Sequence, residues 1–301
     1  MRRNYESGQA LVLVLLSLAV VLTLVLFVLS RSITDVAVSS SQEESVRAFS
    51  AAEAGVEVAL LNTVIGSYQN SLTNNSSYNS VVTSFSADNP TDFAFPSPLL
   101  SGETMTTWFV GHGSNGNLIC DSGAPSTTCF KGSSMKVCWG NSDVTSADPS
   151  TWPAIEVSVY YEATPGNLTT LRIARAAYDP NSSRAAVNSF AAPVVSNCTV
   201  SGTTYPFQET ITFSDLGILP GSYNFDNGLQ FARIRMFYNI TTGQAVGVTV
   251  AGTGASLPSQ GESIVSTGTA GGSNRKINVY QGWPENPFGG NAVVSPLGIT
   301  K

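Results

Sequence analysis

The chain has 301 residues, of which 11% are charged, and its formal net charge is −6 at pH 7. An acidic chain with few cations lacks the basic patches that general nucleic-acid binding needs, so we expect no nucleic-acid partner. The length leaves room for one large or two modest domains besides an N-terminal helix.

An uninterrupted apolar segment runs from Ala10 to Leu29. As a helix it would extend about 30 Å, which matches the hydrocarbon thickness of a bilayer, and it carries no charge. Arg2 and Arg3 precede it, whereas only Arg31 follows closely, so the positive-inside rule places the N-terminus in the cytoplasm. The sequence therefore predicts a single-pass protein of the inner (cytoplasmic) membrane whose C-terminal part lies outside.

The helical pattern continues beyond this segment, from Arg31 to about Gly66, without a proline. Apolar residues recur there at steps of three and four, which is typical of one face of a helix. We expect this stripe to pack against another surface. Its members are Val46, Phe49, Ala52, Val56, Leu60 and Val64.

The first 60 residues resemble the N-termini of type IV pilin-like proteins. The resemblance rests on a short leader with Arg2 and Arg3 that ends at Gly8, on the apolar helix, and on Ala51–Gly55. This Ala-Ala-Glu-Ala-Gly segment is similar to that of PilX-type minor pilins. The resemblance implies that a prepilin peptidase cuts after Gly8 and leaves Gln9 as the mature N-terminus. It also implies, as partners, other pilins bound through their N-terminal helices and the inner-membrane assembly platform.

The fifth residue of that mature chain departs from the family pattern. Typical pilins carry Glu there, which is thought to pair with a neighbouring subunit's N-terminal amine, whereas this chain has Leu13. Tip-type pseudopilins also lack the Glu. The resemblance therefore implies a minor pilin or pseudopilin of a type IV pilus-like or type II secretion-like filament at the cell surface, with a place near the tip.

Three other interpretations of the anchored chain stay open. A removable signal peptide would end near Ala37–Ser39, although its apolar core is normally shorter than this one. An uncleaved anchor would hold an extracellular binding protein or adhesin that never assembles. An anchored extracellular hydrolase is the third.

Glu53 lies inside the apolar stripe, and three explanations compete for it. A sheet could bury the carboxylate, which would then need hydrogen-bond donors or a cation. The stripe could instead be a subunit contact in which Glu53 pairs with the next protein. Finally, the side chain could lie at the edge of the stripe and reach solvent.

Beyond Gly66 the sequence predicts a loop over residues 67–80 and then mainly strands separated by Gly- and Pro-bearing turns. The Pro- and Gly-rich tail from Trp283 to Lys301 is expected to lie extended over the surface. The strand candidates are Val81–Phe85 (a strand or a helical turn), Thr107–Val110, Met135–Trp139, Ile155–Tyr161, Leu168–Tyr178, Thr210–Phe213, Leu229–Tyr238, Gln244–Val250, Ser263–Thr267 and Arg275–Gln281.

These elements predict an α+β fold, in which a long N-terminal helix with a transmembrane lower half packs by its upper half on an antiparallel β-rich C-terminal domain. A break around residues 191–197 separates two β-rich units or two sheets of one domain. The predicted organisation is a leader at residues 1–8, a transmembrane and assembly helix at 9–30, an amphipathic continuation at 31–66, and β-rich units at 67–197 and 198–301.

The four cysteines all lie in the exported part, where disulfides persist: Cys120, Cys129, Cys138 and Cys198. Three pairings are open. A bond between the first two would close a small loop, and one between the last two would join the first β-rich unit to the break. Free thiols and a zinc site are the alternatives, but the spacing contains no Cys-x-x-Cys. We expect two disulfides and no metal.

No residue pattern predicts catalysis or a cofactor. His112, the one histidine, stands in the glycine-bearing turn Gly111–Ser114, where we expect an exposed loop residue. The chain has no nucleophile elbow and no phosphate loop, and Asp215, Asp226 and Glu262 lack metal-loop spacing. We therefore expect a structural protein rather than an enzyme.

The leader sequence predicts where the mature protein begins. N-terminal sequencing of the protein recovered from membranes should begin at Gln9, because the resemblance places cleavage after Gly8. A start at Met1 or near Ser39 would contradict the pilin interpretation.

Overall fold

The computed structural model describes residues 7–62, 64–86, 91–113, 117–120, 129–252 and 255–283. It has the α+β fold that the sequence predicts, with one long N-terminal helix followed by antiparallel sheets. The chain divides into two compact units. The first comprises residues 1–82 and 264–279, and the second comprises residues 83–263 and 280–301.

The elements follow in chain order. Three short 3-10 turns, Val144–Ser146, Pro149–Thr151 and Leu168–Thr170, occur among them. The helices and strands are α1 Ser7–Asn62, β1 Gly66–Ser71, β2 Ser76–Phe85, β3 Asp92–Ala94, β4 Thr104–Trp108, β5 Gly111–His112, β6 Leu118–Ile119, β7 Ser134–Trp139, β8 Ala154–Glu162, β9 Leu171–Tyr178, α2 Ser182–Asn188, β10 Val194–Val200, β11 Thr203–Thr212, α3 Pro220–Tyr223, β12 Leu229–Phe237, β13 Val246–Ala251, β14 Gly261–Ala270 and β15 Ser273–Gly282.

Helix α1 is continuous over 56 residues, about 84 Å at 1.5 Å per residue. In the first unit its upper half packs on strands of the sheet β1-β2-β14-β15. The helix residues that this packing buries are all small, and they recur at steps of three and four on one face. We call Ala48, Ala51, Ala52, Gly55 and Ala59 the small-residue face.

Two glycines mark how closely the helix and the sheet approach. A Cβ added at Gly55 would overlap the hydroxyls of Ser80 and Ser266, and one added at Gly268 of β14 would overlap the helix backbone at Ala48. The two serine hydroxyls hydrogen-bond to each other at 2.8 Å, which satisfies them within the contact. The contact therefore needs residues without side chains on both surfaces.

The second unit packs two antiparallel sheets around a common apolar core. The strand orders are β10-β11-β7-β13-β3 and β4-β12-β8-β9. One sheet contributes Trp139 and Phe207 to the core, and the other contributes Ile155 and Ile234. Strands from both sides of residues 191–197 pair directly, since β7 pairs with β11 and β13, and β8 pairs with β12.

The predicted hairpin of Ile155–Tyr161 and Leu168–Tyr178 is present as β8 and β9, although β9 begins only at Leu171 after a 3-10 turn. The predicted loop at 67–80 is wrong, because β1 and β2 occupy most of it. Strand β2 turns Ser76, Tyr78, Ser80 and Val82 inward. Serines at inward positions suit the close approach of α1, but they hide the apolar alternation that normally predicts a strand.

Both expected disulfides form in the structure. Cys120 bonds to Cys129 with a Cα–Cα distance of 5.0 Å, and Cys138 bonds to Cys198 with a Cα–Cα distance of 6.0 Å. The second bond joins β7 to β10, and β10 lies where the sequence predicted a break. Both belong to the second unit, so that unit carries two covalent cross-links.

Because the helix and the sheet approach closely at Gly55, a larger side chain there should lower the stability of the protein. Gly55→Val should lower the free energy of unfolding by about 1–3 kcal/mol, because the added side chain overlaps buried hydroxyls. Ser50→Val is the matched control, since Ser50 is exposed on the same helix. Thermal unfolding in detergent measures both, and an equally stable Gly55→Val chain would contradict the close packing.

The two disulfides should contribute unequally to the free energy of unfolding. Removing the bond with a sequence separation of 60 residues, by Cys138→Ala with Cys198→Ala, should cost about 4 kcal/mol. Removing the bond with a separation of 9 residues, by Cys120→Ala with Cys129→Ala, should cost about 3 kcal/mol, because a shorter loop restrains the unfolded chain less. Denaturant titration compares the variants, and non-reducing peptide mapping of the native chain should find no free thiol.

Candidate functional site

The lower half of α1 exposes its apolar side chains on every side. Large apolar residues from Leu11 to Leu29 are 49–68% exposed, and the chain's own fold buries no residue of the most apolar 18-residue window. This helix is long and apolar enough to span a membrane. Leu13 lies within this part and is itself exposed.

The upper half of α1 has a second face that the sheet does not cover. Val46, Phe49 and Leu60 are 36–66% exposed. At about 100° per residue, Gly55 lies about 180° around the helix axis from Val46. These three residues, which we call the outward stripe, are therefore opposite the small-residue face.

The predicted apolar stripe is present on α1, but half of its members lie opposite the face that packs on the sheet. Of the six, Ala52 is buried and Val56 is half-buried, while Val46, Phe49 and Leu60 form the outward stripe. Val64 is exposed but lies beyond the end of α1 at Asn62. The sheet selects the face with the smaller side chains, because only these let the backbones approach closely. Periodicity of large apolar residues could not reveal this choice, although the spacing of Ala48, Gly55 and Ala59 was a usable signal.

Glu53 is exposed, so the sheet does not bury its carboxylate. It lies between Leu60 and Val46 around the helix, within the arc of the outward stripe. The explanation in which a sheet buries this group is therefore wrong. A contact with another protein and an exposed position at the edge of the stripe remain.

The processing residues lie at the start of α1. Gly8 and Gln9 belong to its first turn, for which the structure describes the backbone. Arg2 and Arg3 lie outside the described residues. Both residues of the bond that the resemblance assigns to the peptidase therefore lie within α1.

His112 is not the exposed loop residue that we expected. It belongs to strand β5 and is half-buried between two indoles. Its ring stacks on Trp283 at 4.8 Å between centroids and meets Trp108 edge-on at 4.4 Å. Burial lowers the pKa of the imidazole, since the charged form loses hydration. This arrangement gives His112 a packing role.

One group of side chains has the proximity of a metal site but not its chemistry. The sulfurs of Cys120 and Cys129 lie near a carboxylate oxygen of Asp226. The two sulfurs are bonded to each other, and a thiolate is the form that binds metals. Asp226 also forms an ion pair with Lys131 at 2.8 Å. The residues present therefore fit a cross-link and an ion pair better than a metal centre.

The outward stripe, together with the exposed lower half of α1, is the candidate site, and its chemistry is that of a helix–helix contact. Comparison with models of known protein families, with curated proteins and with solved structures finds no match to this chain.

Proposed function

We propose that this protein is a membrane-anchored structural subunit, a minor pilin or pseudopilin, that assembles into a type IV pilus-like or type II secretion-like filament. Its contacts with neighbouring subunits are made by the exposed surface of α1. Before assembly the lower half of α1 spans the inner membrane with the N-terminus in the cytoplasm. Processing by a prepilin peptidase and extraction by the assembly platform precede incorporation.

The observation that carries this proposal is the exposure of the outward stripe. Lipid covers the apolar lower half of α1 in the membrane, so that half alone would suit any anchor. The upper half continues beyond the length that a bilayer accommodates. Val46, Phe49 and Leu60 would there face water in a chain that never assembles. Helices of neighbouring subunits would cover them.

The acidic residues beside the outward stripe restrict which protein surface can cover it. Glu53 and Glu57 are exposed on this side of α1, and Arg47 pairs with Glu43 at 3.8 Å. A partner helix that covered the stripe with acidic residues would bring like charges together in an apolar contact. We therefore infer that the neighbouring surface is apolar with Lys or Arg opposite Glu53.

Leu13 supports a particular position for the subunit in the proposed filament. A helix N-terminus buried beneath other subunits carries an amine whose burial is costly unless an acidic side chain pairs with it. Leu13 cannot supply that carboxylate to a subunit above it. A subunit at the tip has none above it, so we propose a low-copy position near the tip, on Glu-bearing pilins below.

A charge in the outward stripe tests the proposal. Phe49→Asp should reduce the amount of this chain in sheared filaments at least tenfold, because the carboxylate would be buried between helices. Its thermal unfolding should stay unchanged, since Phe49 does not pack on the sheet. Val187→Asp is the matched control: Val187 is 86% exposed on α2 and should tolerate the charge in both measurements.

The same filament preparation measures the copy number of the wild-type chain. We expect a minor component, and a dominant one would contradict the place at the tip. Equal incorporation of Phe49→Asp and Val187→Asp would contradict the role of the outward stripe. Absence of the wild-type chain from filaments, with normal amounts in the membrane, would favour the non-assembling surface protein.

A further inference from the structure

An open groove in the first unit lies along strands β1, β2 and β14. Its volume is about 710 Å³. Every described residue that lines it is polar, and none of them carries a charge. We call it the polar groove, and its lining residues are Gln69, Asn70, Ser71, Ser77, Tyr78, Asn79, Thr267 and Thr269.

Alternation along the strands places six of these side chains on the face of the sheet that points away from α1. Strand β14 turns Ser266 and Gly268 towards the helix, and β2 turns Ser80 towards it. The residues that alternate with these point to the opposite face, and the β1 residues paired with them share that face. The six are Gln69, Ser71, Ser77, Asn79, Thr267 and Thr269.

The six side chains form two rows across the three strands. Each side chain of β1 lies beside its partner on β2. The hydroxyl of Ser77 hydrogen-bonds to that of Thr269 at 2.7 Å, which places Thr267 beside Asn79 in the other row. Neighbouring strands are about 4.8 Å apart, and alternate side chains of one strand are about 7 Å apart. The groove is therefore a regular array of hydrogen-bonding groups.

Several of these groups have no hydrogen-bond partner in the part of the chain that the structure describes. They include the exposed amides of Gln69 and Asn79 and the hydroxyl of Thr267. Each amide offers two N–H donors and a carbonyl acceptor, and each hydroxyl both donates and accepts. The polar groove therefore presents uncharged donors and acceptors side by side.

The size and the lining of the polar groove limit the class of ligand. Its volume lies within the range of about 300–1,000 Å³ that is typical of ligand sites. Phosphates, nucleic acids and charged peptides are recognised by charged side chains, which the described lining lacks. Protein partners usually anchor on aromatic or Arg side chains. The aromatic residue of this lining, Tyr78, is 7% exposed and lies against Gly55.

An extended peptide that added a strand to β1 is a poorer fit than a ligand on the face of the sheet. The amide of Leu72 donates to Ser76, so residues 69 and 71 direct their N–H and C=O groups away from β2. However, the Ser71 N–H already donates to the side chain of Asn70 at 2.9 Å. A pairing strand would break this bond, whereas a ligand on the face leaves it intact.

We propose that the polar groove binds a neutral oligosaccharide. Each sugar hydroxyl both donates and accepts, as do the groups of the two rows, and neighbouring hydroxyls suit the paired donor and acceptor of one amide. A neutral sugar needs no charged partner. The described lining exposes no aromatic ring for a sugar to stack on, and each hydrogen bond replaces one to water, so one groove should bind weakly.

Titration with sugars tests the proposal. The full chain is labelled with ¹⁵N in a phosphocholine detergent, which has no sugar head group. The probes are neutral oligosaccharides of glucose, mannose, galactose or N-acetylglucosamine, with acidic oligogalacturonate for comparison. At least one neutral probe should shift the backbone amide signals of residues 67–71 and 77–81 saturably, and oligogalacturonate should not. The signals of α2 should stay unchanged. If no neutral probe shifts the groove signals up to its solubility limit, the proposal is overturned.

Full-length variants locate the binding. Gln69→Ala with Asn79→Ala should weaken it about tenfold, because two hydrogen-bonding amides are lost. Thr267→Val keeps the shape of the side chain without its hydroxyl and should weaken binding severalfold. The matched control is Gln42→Ala with Asn197→Ala, which removes the same two amide types from exposed positions outside the groove and should bind like the wild type.

Thermal unfolding should be the same for all these variants, since the substituted side chains lie outside the contact between α1 and the sheet. Saturable binding that survives Gln69→Ala with Asn79→Ala would overturn the proposal, because the sugar would then bind elsewhere. Equal binding of oligogalacturonate would overturn the preference for a neutral ligand. These outcomes do not depend on whether the protein assembles into filaments.

Discussion

The first unit depends on one close contact, between the small-residue face of α1 and the strands β2 and β14. Gly55 and Gly268 leave no room for a side chain, and the buried pair Ser80–Ser266 satisfies its own hydrogen bonds inside the contact. The helix contributes methyl groups and backbone at short range, and the sheet contributes Val82 and Ile264, which are buried against Ala59. Because this face packs on the sheet, the larger residues Val46, Phe49 and Leu60 of the upper helix point away from it.

That constraint connects the fold to the proposed function. An amphipathic helix normally gives its large apolar residues to its own core, and its polar face to water. Here alanine and glycine pack on the chain's own sheet, and Phe49 and Leu60 stay exposed. A continuous helix can then present one apolar surface to lipid in its lower half and to neighbouring helices in its upper half.

Much of the fold could be predicted from the sequence, because the signals were strong and local. The length of the apolar segment predicted the helix, and the alternation of apolar and polar residues around a Pro-Gly turn predicted β8 and β9. The orientation of the upper helix could not be predicted from large residues, since alanines carry little weight in an apolar pattern. Strands β1 and β2 were missed for a similar reason, as inward serines break the expected alternation.

The surroundings of His112 show another limit of sequence reasoning. Its neighbours Gly111 and Gly113 suggested an exposed turn, yet Trp108 and Trp283 enclose its ring. Trp283 lies 171 positions further along the chain, and no local pattern reports a contact at that separation.

The sheet of the first unit has a consequence for the order of folding. Its helix and first two strands come from the N-terminal part of the chain, but β14 and β15 follow about 180 residues later, so that Ser80 and Ser266 are 186 positions apart. Closing a loop of that length before any contact forms costs entropy, whereas the intervening unit can fold on its own local contacts. The part of the small-residue face that packs on β14 therefore stays uncovered until the C-terminal strands join the sheet. A chaperone or a neighbouring helix that protects this part while the chain folds would act at a stage when the finished protein no longer shows any need for it.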